Sequence, residues 1–401
     1  MIPERPLSET FKRFFASGKS TGVLLIVCTA LSLAITNSPS GDAYLELWHT
    51  ELVGLSLEHW INDGLMAVFF LLIGLELERE LYVGELSDIR NALLPMVAAA
   101  GGVGFPALLH FAFNARTPTF AGFGIPMATD IAFALGILVL LGSQVPASLK
   151  VFLAALAVAD DLAAIVLIAA FYTAELSVAY LFGTLLVFAL LLVLNRLHVL
   201  KLSPYLLGGA LMWFLMLKSG VHATIAGVLL AFAIPFESPR DDQTSPSHRL
   251  EHALHRPVGF LVLPIFALAN TGIFIDAEAA AELTARNSLG IMAGLLLGKP
   301  AGITLLSLLA VSLGICRLPA DMGWKHVLGA GILGGVGFTM SIFITNLAFS
   351  GQTDLINASK LAIMLSSLVA GTAGFLWLKV FGKPLSGDEE TDVIGLETRA
   401  G

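Results

Sequence analysis

Charge is scarce in this chain. Only 13% of its 401 residues are charged and 56% are hydrophobic, whereas a soluble domain carries about a quarter charged residues and slightly under half apolar ones. That shortage excludes an ordinary water-facing globule. Cysteine is scarcer still: Cys28 and Cys316 both lie in or beside apolar stretches, so neither a disulfide framework nor a thiolate metal site is expected. Long polar stretches are also few. Twelve apolar segments, near 21–36, 60–76, 92–114, 121–142, 151–171, 178–200, 202–217, 219–236, 257–275, 288–315, 327–349 and 357–381, use up nearly the whole sequence. Each is close to the roughly 20 residues that cross a bilayer. Catalysis on a soluble substrate or nucleic-acid reading would need residues that are not there.

What charge there is falls unevenly. With twelve spans and the N-terminus inside, 17 of the 22 Lys and Arg residues lie in cytoplasmic segments. Only Arg116, Lys218, Arg286 and Lys360 fall outside, and Lys299 is left within the bilayer. Positive residues favour the cytoplasmic side, so both termini are expected there. The first span follows a charged segment with no clear A-x-A site behind it, which argues for a retained helix over a cleaved signal. Residues 41–59, GDAYLELWHTELVGLSLEH, alternate polar and apolar around Gly54 and read as an outer hairpin. Residues 237–256, ESPRDDQTSPSHRLEHALHR, read as a cytoplasmic linker dividing eight spans from four.

Two spans are broken by composition. Span four, AGFGIPMATDIAFALGILVLLG, holds Gly124, Pro126 and Gly136 around Thr129 and Asp130; span eleven, LGAGILGGVGFTMSIFITNLAF, holds Gly331, Gly334, Gly335 and Gly337. Irregular backbone at membrane depth survives only where protein or a water-filled cavity surrounds it. Each break is the second of three spans, in units of about 92–175 and 288–382 that begin seven spans apart and so run in opposite senses. Paired interrupted segments in inverted units point to a transporter's binding site. The fold expected is therefore an all-α polytopic membrane protein, about twelve transmembrane helices in a single transporter domain, with an inverted repeat of three-helix units.

The buried charges carry the chemistry. LAALAVADDLAAIVLIAA places Asp160 and Asp161 near the middle of span five, where charge is expensive and usually marks an ion path. Helical neighbours point about 100° apart, so the two acids cannot both face one partner. Lys299, in GLLLGKPAGITLL, is the candidate cation for one of them, and Asp130 adds a third acid. Three carboxylates against one ammonium leave an excess negative charge that protons, a metal cation or both must neutralise. Hard oxygen ligands from Asp160 and Asp161 suit Na⁺ or Li⁺. Thr129 either joins them or bonds its own helix carbonyls. Interrupted helices also expose terminal dipoles, which Asp130 can balance at N-termini and Lys299 at C-termini. If a cation and protons contend for the same carboxylates and the empty site cannot cross, the result is obligatory exchange.

At these residues the chain resembles the NhaA family of sodium/proton antiporters. The matching motifs are NDGLMAVFFLLIGLE (62–76), ATDIAFALGIL (128–138), ALAVADDLAAI (155–165), KSGVHATIAGV (218–228), RLEHALH (249–255), LLLGKPAGI (295–303) and GGVGFTMSIFI (334–344). The resemblance implies broken helices four and eleven that cross, proton-driven expulsion of sodium or lithium from a bacterium, and pH homeostasis and salt tolerance. It implies residence in the inner membrane among lipid and a homodimer held partly through the outer hairpin. No cofactor, nucleic acid or protein substrate is expected beyond the transported Na⁺ or Li⁺ and H⁺. By the same resemblance Asp160 and Asp161 are the binding and proton-carrying pair, Asp161 the more exposed ligand; Lys299 pairs with Asp160, and Asp130 and Thr129 occupy the crossing. Glu76, Arg79, Glu80, Glu251 and His252 match a cytoplasmic cluster linked to pH activation, and His222 matches the histidine of GVHAT. Glu78 departs from the family, where lysine is common, so that end is more acidic and no activation pH is carried over.

Two rivals belong to other classes. An intramembrane aspartyl protease needs two carboxylates close enough to share a proton, whereas adjacent residues diverge and no GxGD motif occurs. A passive cation channel would suit a ring of repeated acids better than one tight cluster. The sequence is therefore read as an electrogenic, pH-regulated antiporter, a secondary transporter and not an enzyme.

Overall fold

In lipid, a backbone amide has no partner but its own helix, so apolar runs this long coil almost throughout. The computed structural model describes residues 9–87, 89–173, 176–236 and 245–385. The first eight residues, the C-terminal residues from 386 and residues 237–244 of the expected linker lie outside the described residues.

The chain begins with α1 (Glu9–Thr36), whose apolar part turns by 114° into α2 (Gly41–His49). Here the structure corrects the expected hairpin over 41–59: residues 41–49 are helical, and the hairpin is confined to β1 (Glu51–Leu52) and β2 (Leu55–Ser56), antiparallel with Leu52 opposite Leu55. Alternation alone missed the helix because Tyr44 and Trp48, four apart, share a helical face; the Tyr44 hydroxyl donates to the Leu268 carbonyl at 2.7 Å. The turn is Val53–Gly54, both at positive φ (55° and 79°), the geometry of a tight two-residue hairpin.

A short α3 (Leu57–His59) leads through a π-helical turn, Trp60–Leu65, into α4 (Met66–Tyr82). Then come α5 (Ile89–Asn114), a 3₁₀ segment Pro118–Met127, α6 (Ile131–Leu141), α7 (Ala147–Phe171), α8 (Val178–Arg196), α9 (Leu202–Ser219) and α10 (Ile225–Ala233). The second half of the expected linker is itself a helix, α11 (Pro246–Pro257), running through a π turn into α12 (Leu263–Asn270). The rest comprises α13 (Ala277–Glu282), α14 (Arg286–Ala293), a π turn Gly294–Gly298, α15 (Lys299–Ser312), α16 (Trp324–Gly334), α17 (Phe338–Ala348) and α18 (Thr353–Phe381). Among the described residues eight helices are long and apolar enough to span a membrane, or ten if each bent pair is one span. Neither α9 nor α10 is among them, α10 being only nine residues long, so the count of twelve is not reached by length and composition alone.

Both expected breaks are present. Span four is 3₁₀ up to Met127 and resumes as α6 after residues 128–130; α16 and α17 are separated by residues 335–337 and differ by 46° in direction. The glycines of the second break serve close approach: a Cβ on Gly335 would lie 2.4 Å from the Leu295 carbonyl oxygen. The same device seats α15. α5 and α15 touch backbone to backbone, with a Cβ on Gly101 only 2.1 Å from the Gly302 carbonyl oxygen and the reverse also 2.1 Å. Small residues at a crossing let membrane helices meet this closely. Because α15 lies so near, the Lys299 side chain passes the bare Cα of Gly102 toward the two breaks, its Nζ 3.6 Å from where a Cβ would be.

One positive residue is not where the loop sorting placed it. Lys360 lies within α18 and is only 6% exposed, a second buried lysine instead of an outer loop charge.

Candidate functional site

Residues 128–130 lie between the 3₁₀ segment and α6; the Asp130 carbonyl already accepts from Ala134 N–H at 3.0 Å, and the Asp130 N–H finds its partner in the other break. Asp130 N–H donates to the Val336 carbonyl at 2.6 Å. Its carboxylate caps α6 by accepting from Phe133 N–H at 3.1 Å, and caps α17 by accepting from Thr339 N–H at 3.0 Å and the Thr339 hydroxyl at 2.5 Å. One buried acid thus balances the positive ends of two helices, as expected for Asp130. Thr339 was not foreseen; its signal was its place two residues after Gly337, where the first turn of a resumed helix needs capping.

Lys299 sits on the opposite sign of field, beside Gly334 at the C-terminal end of α16. Its ammonium is paired with Asp160 Oδ2 and donates to Thr129 Oγ1 at 2.9 Å. The Thr129 hydroxyl lies 2.6 Å from Asp160 Oδ2 and 3.0 Å from the Gly334 carbonyl, and its single proton serves one of them. Thr129 therefore takes both roles left open by sequence, carboxylate partner and carbonyl partner, but the carbonyl belongs to the other broken helix.

Asp161 differs from Asp160 in company, not in exposure. Asp160 is fully buried and Asp161 is 2% exposed. Yet Asp161 has no hydrogen bond or ion pair among the described residues, and its Oδ1 is a buried oxygen without a partner, as is Asp160 Oδ1. A buried acceptor left unsatisfied loses the solvation it had in water, a penalty of about 1–3 kcal/mol and larger for a charge. Asp160, Asp130 and Glu76 supply carboxylates in the neighbourhood of Asp161, and Lys299 supplies an ammonium. The site is short of positive charge and has open oxygen valences. A small cation or a proton supplies both.

Comparison with known proteins decides the family. The family described as Na+/H+ antiporter 1 matches residues 12–378. The Na(+)/H(+) antiporter NhaA of Dechloromonas aromatica is 68% identical over 376 residues, covering 94% of this chain and 97% of its own. That of Flavobacterium psychrophilum is 58% identical over 369 residues (92% and 95%), and that of Vibrio parahaemolyticus 48% over 374 (93% and 97%). The chain belongs to the NhaA sodium/proton antiporter family. Its relatives are membrane transporters, which agrees with reading the chain as a transporter and not an enzyme.

Within this NhaA-family chain, the acidic end of α4 meets α11. Arg79 joins Glu80 at 3.1 Å and Glu251 at 3.3 Å, and Glu251 also lies 3.6 Å from His248 Nδ1. Glu76 lies 3.8 Å from His255 Nδ1, and Glu78, 4% exposed, accepts from the Ser247 hydroxyl at 2.7 Å. Glu76, Glu78 and Glu251 are all buried, so the cluster is not the solvated helix end that charge runs usually form. The structure does not bring His252 to it. That residue is exposed on the far side of α11, and His248 and His255 take the inward face with Glu251. The signal was helical spacing: 248, 251 and 255 stack at i, i+3 and i+7, and 252 is one step round. His222 is also elsewhere, bonded by Nε2 to the Tyr172 carbonyl at 2.6 Å beyond the end of α7.

Beside Glu76 and His255 of the cluster lies a cavity of about 60 Å³, lined also by Thr21, Phe69, Ile73 and Ala132. It runs along α6 on one side and α4 on the other.

Proposed function

We propose that this chain is an electrogenic antiporter that expels Na⁺ or Li⁺ in exchange for protons, both competing for Asp160 and Asp161. The observation that carries the reading is the contrast between the two acids: Asp160 is held by Lys299 and Thr129, and its neighbour has an open, buried carboxylate oxygen. A paired acid fixes the site, and an unpaired one must be neutralised by what it carries. Na⁺ is coordinated through oxygens, and here it would take the free oxygens of Asp160 and Asp161. Protons returning to those carboxylates release it. Two protons entering for each sodium leaving would move one net charge, so the exchange would draw on the membrane potential.

In this reading the cavity beside Glu76 and His255 is the entry from the cytoplasm, and the buried cluster of Glu76, Glu78, Arg79, Glu80 and Glu251 sets the pH at which α11 and α4 admit ions. Arg116, Lys218 and Arg286 on the other side, against the 17 cytoplasmic lysines and arginines, support both termini inside. The inverted three-helix units would carry the crossing breaks, and the hairpin at 51–56 would join two copies in the bacterial inner membrane. His222 and His252 remain in the reading only as titratable residues of the family motifs, each outside the buried cluster.

The test uses inside-out vesicles energised to an acidic interior, with NaCl, LiCl or KCl added over a pH series. Sodium and lithium should collapse the pH gradient with the wild type and fail to do so with Asp161→Asn, and an imposed potential should change the wild-type rate. Indifference to the salts at every pH overturns exchange; indifference to potential overturns only its electrogenic form.

A further inference from the structure

The cavity at the α11 end touches α4 and α12, and the same two helices meet α17 toward the hairpin end. On the open side, α6 faces α4 and α12 across a space lined by Phe69, Ile73, Ala132 and Leu263. α17 meets the same two helices through side-chain contacts. Phe343 of α17 packs on Phe70 of α4 with ring centroids 5.3 Å apart. Above that contact three asparagines form a ladder: Asn346 Nδ2 donates to Asn270 Oδ1 at 2.6 Å, and Asn270 Nδ2 donates to Asn62 Oδ1 at 2.8 Å. These side chains come from α17, the end of α12 and the π turn before α4, three elements that meet nowhere else through side-chain amides among the described residues.

A ladder of this kind is expensive to leave half made. Asn270 is 1% exposed, its second amide hydrogen is committed to the Phe266 carbonyl at 3.0 Å, and it can satisfy its remaining valences only through the neighbouring asparagines. It is also breakable in a way an apolar seam is not, since amides that part can bond to entering water. A wider π turn at Trp60–Leu65 puts Asn62 on the inner side of its helix; such turns recur at functional positions.

We infer that Asn62, Asn270 and Asn346 form a latch that closes the outer route to Asp161 and must part each time the site opens outward. The inference rests on the exchange reading for its purpose, since only a site that alternates needs a second route. α17 is the moving partner, because Asp130 and Thr339 tie it to the broken helices, and α4 with α12 is the frame. Asn346 is accordingly a positioning residue: it touches no transported ion and acts by holding α17.

The test has two readouts. In full-length protein with Cys28 and Cys316 replaced by alanine, Met66→Cys reports access from the hairpin end, since Met66 is fully buried one turn inward of Asn62. Adding Asn346→Ala should raise its labelling by a membrane-impermeant maleimide applied from outside, about 3- to 10-fold, the weight of one lost neutral hydrogen bond. Labelling from the cytoplasmic face should not rise. In reconstituted vesicles the apparent KM for Na⁺ at the outer face should fall against that at the inner face by a similar factor, because affinity scales with the fraction of protein facing that side. Asn62→Ala breaks the other rung and should do the same if Asn346→Ala folds poorly. Unchanged labelling in both variants, or labelling that rises equally from both faces, overturns the latch. Loss of exchange by the wild type would overturn the exchange reading instead, and labelling would still decide the latch.

Discussion

At the scale of single residues, the two adjacent aspartates keep different company. Asp160 is a structural tie: its Oδ2 gathers the Lys299 ammonium and the Thr129 hydroxyl, which joins α7, α15 and the first break. Asp161 makes no hydrogen bond or ion pair among the described residues, and its Oδ1 is buried without a partner. Their substitutions should therefore diverge. Lys299→Met leaves Asp160 as a buried charge without its cation, and breaking such a pair costs about 3–5 kcal/mol. Asp161→Asn loses no partner and relieves the crowding of carboxylates. In detergent the first variant should unfold at clearly lower temperature than the wild type and the second at or above it, while exchange is lost in Asp161→Asn. A heat-labile Asp161→Asn protein would mean that this acid has a structural partner after all.

At the scale of elements, glycine decides where the long helices can meet. The contact of Gly101 with Gly302 has backbone on both sides, so no rotamer change can make room for a side chain there. Gly302→Val should be lost from the membrane fraction, and Gly104→Ala in the same α5, with open space around it, should accumulate normally. Equal accumulation of both would refute the close crossing. Much of this level was legible in the sequence. Gly and Pro clusters inside apolar runs marked both breaks, and charges inside apolar runs marked Asp130, Asp160, Asp161 and Lys299, because lipid tolerates neither without cause. What escaped was tertiary in origin. Thr339 looks like any helical threonine until Asp130 is placed against it, and Lys360, near the start of the last apolar span, sorts with the outer charges until its burial within α18 is seen. His252 enters the cluster by motif position alone, whereas the helical spacing of 248, 251 and 255 carries the inward face. The helix at Gly41–His49 was hidden by a short alternation that fits period two and period 3.6 alike.

At the scale of the whole molecule, the described residues hold a cavity along α6 and α4 and an asparagine ladder that joins α17, α12 and the π turn before α4. Under the proposed exchange the first is the opening and the second the closure. The hairpin stands apart from this machinery. Leu52 is 53% exposed and Val53 86% exposed at the tip of a two-residue ladder, apolar edge groups that suit pairing with a second copy. Deletion of residues 51–56 should shift the purified protein from dimer to monomer in size-exclusion chromatography with light scattering, with exchange retained. A deletion protein that remains dimeric would place the interface elsewhere.

The central claim is that Na⁺ and protons displace one another at the same two carboxylates, and proton release on sodium binding measures it without vesicles, gradients or turnover. Purified protein in weak buffer with a pH indicator, given NaCl at constant ionic strength, should release protons in proportion to the sites filled, over a limited pH range, and KCl should release fewer. Asp161→Asn should release none. Sodium binding by the wild type with no proton released at any pH would contradict the account, because the cation would then be held by groups that carry no proton to trade.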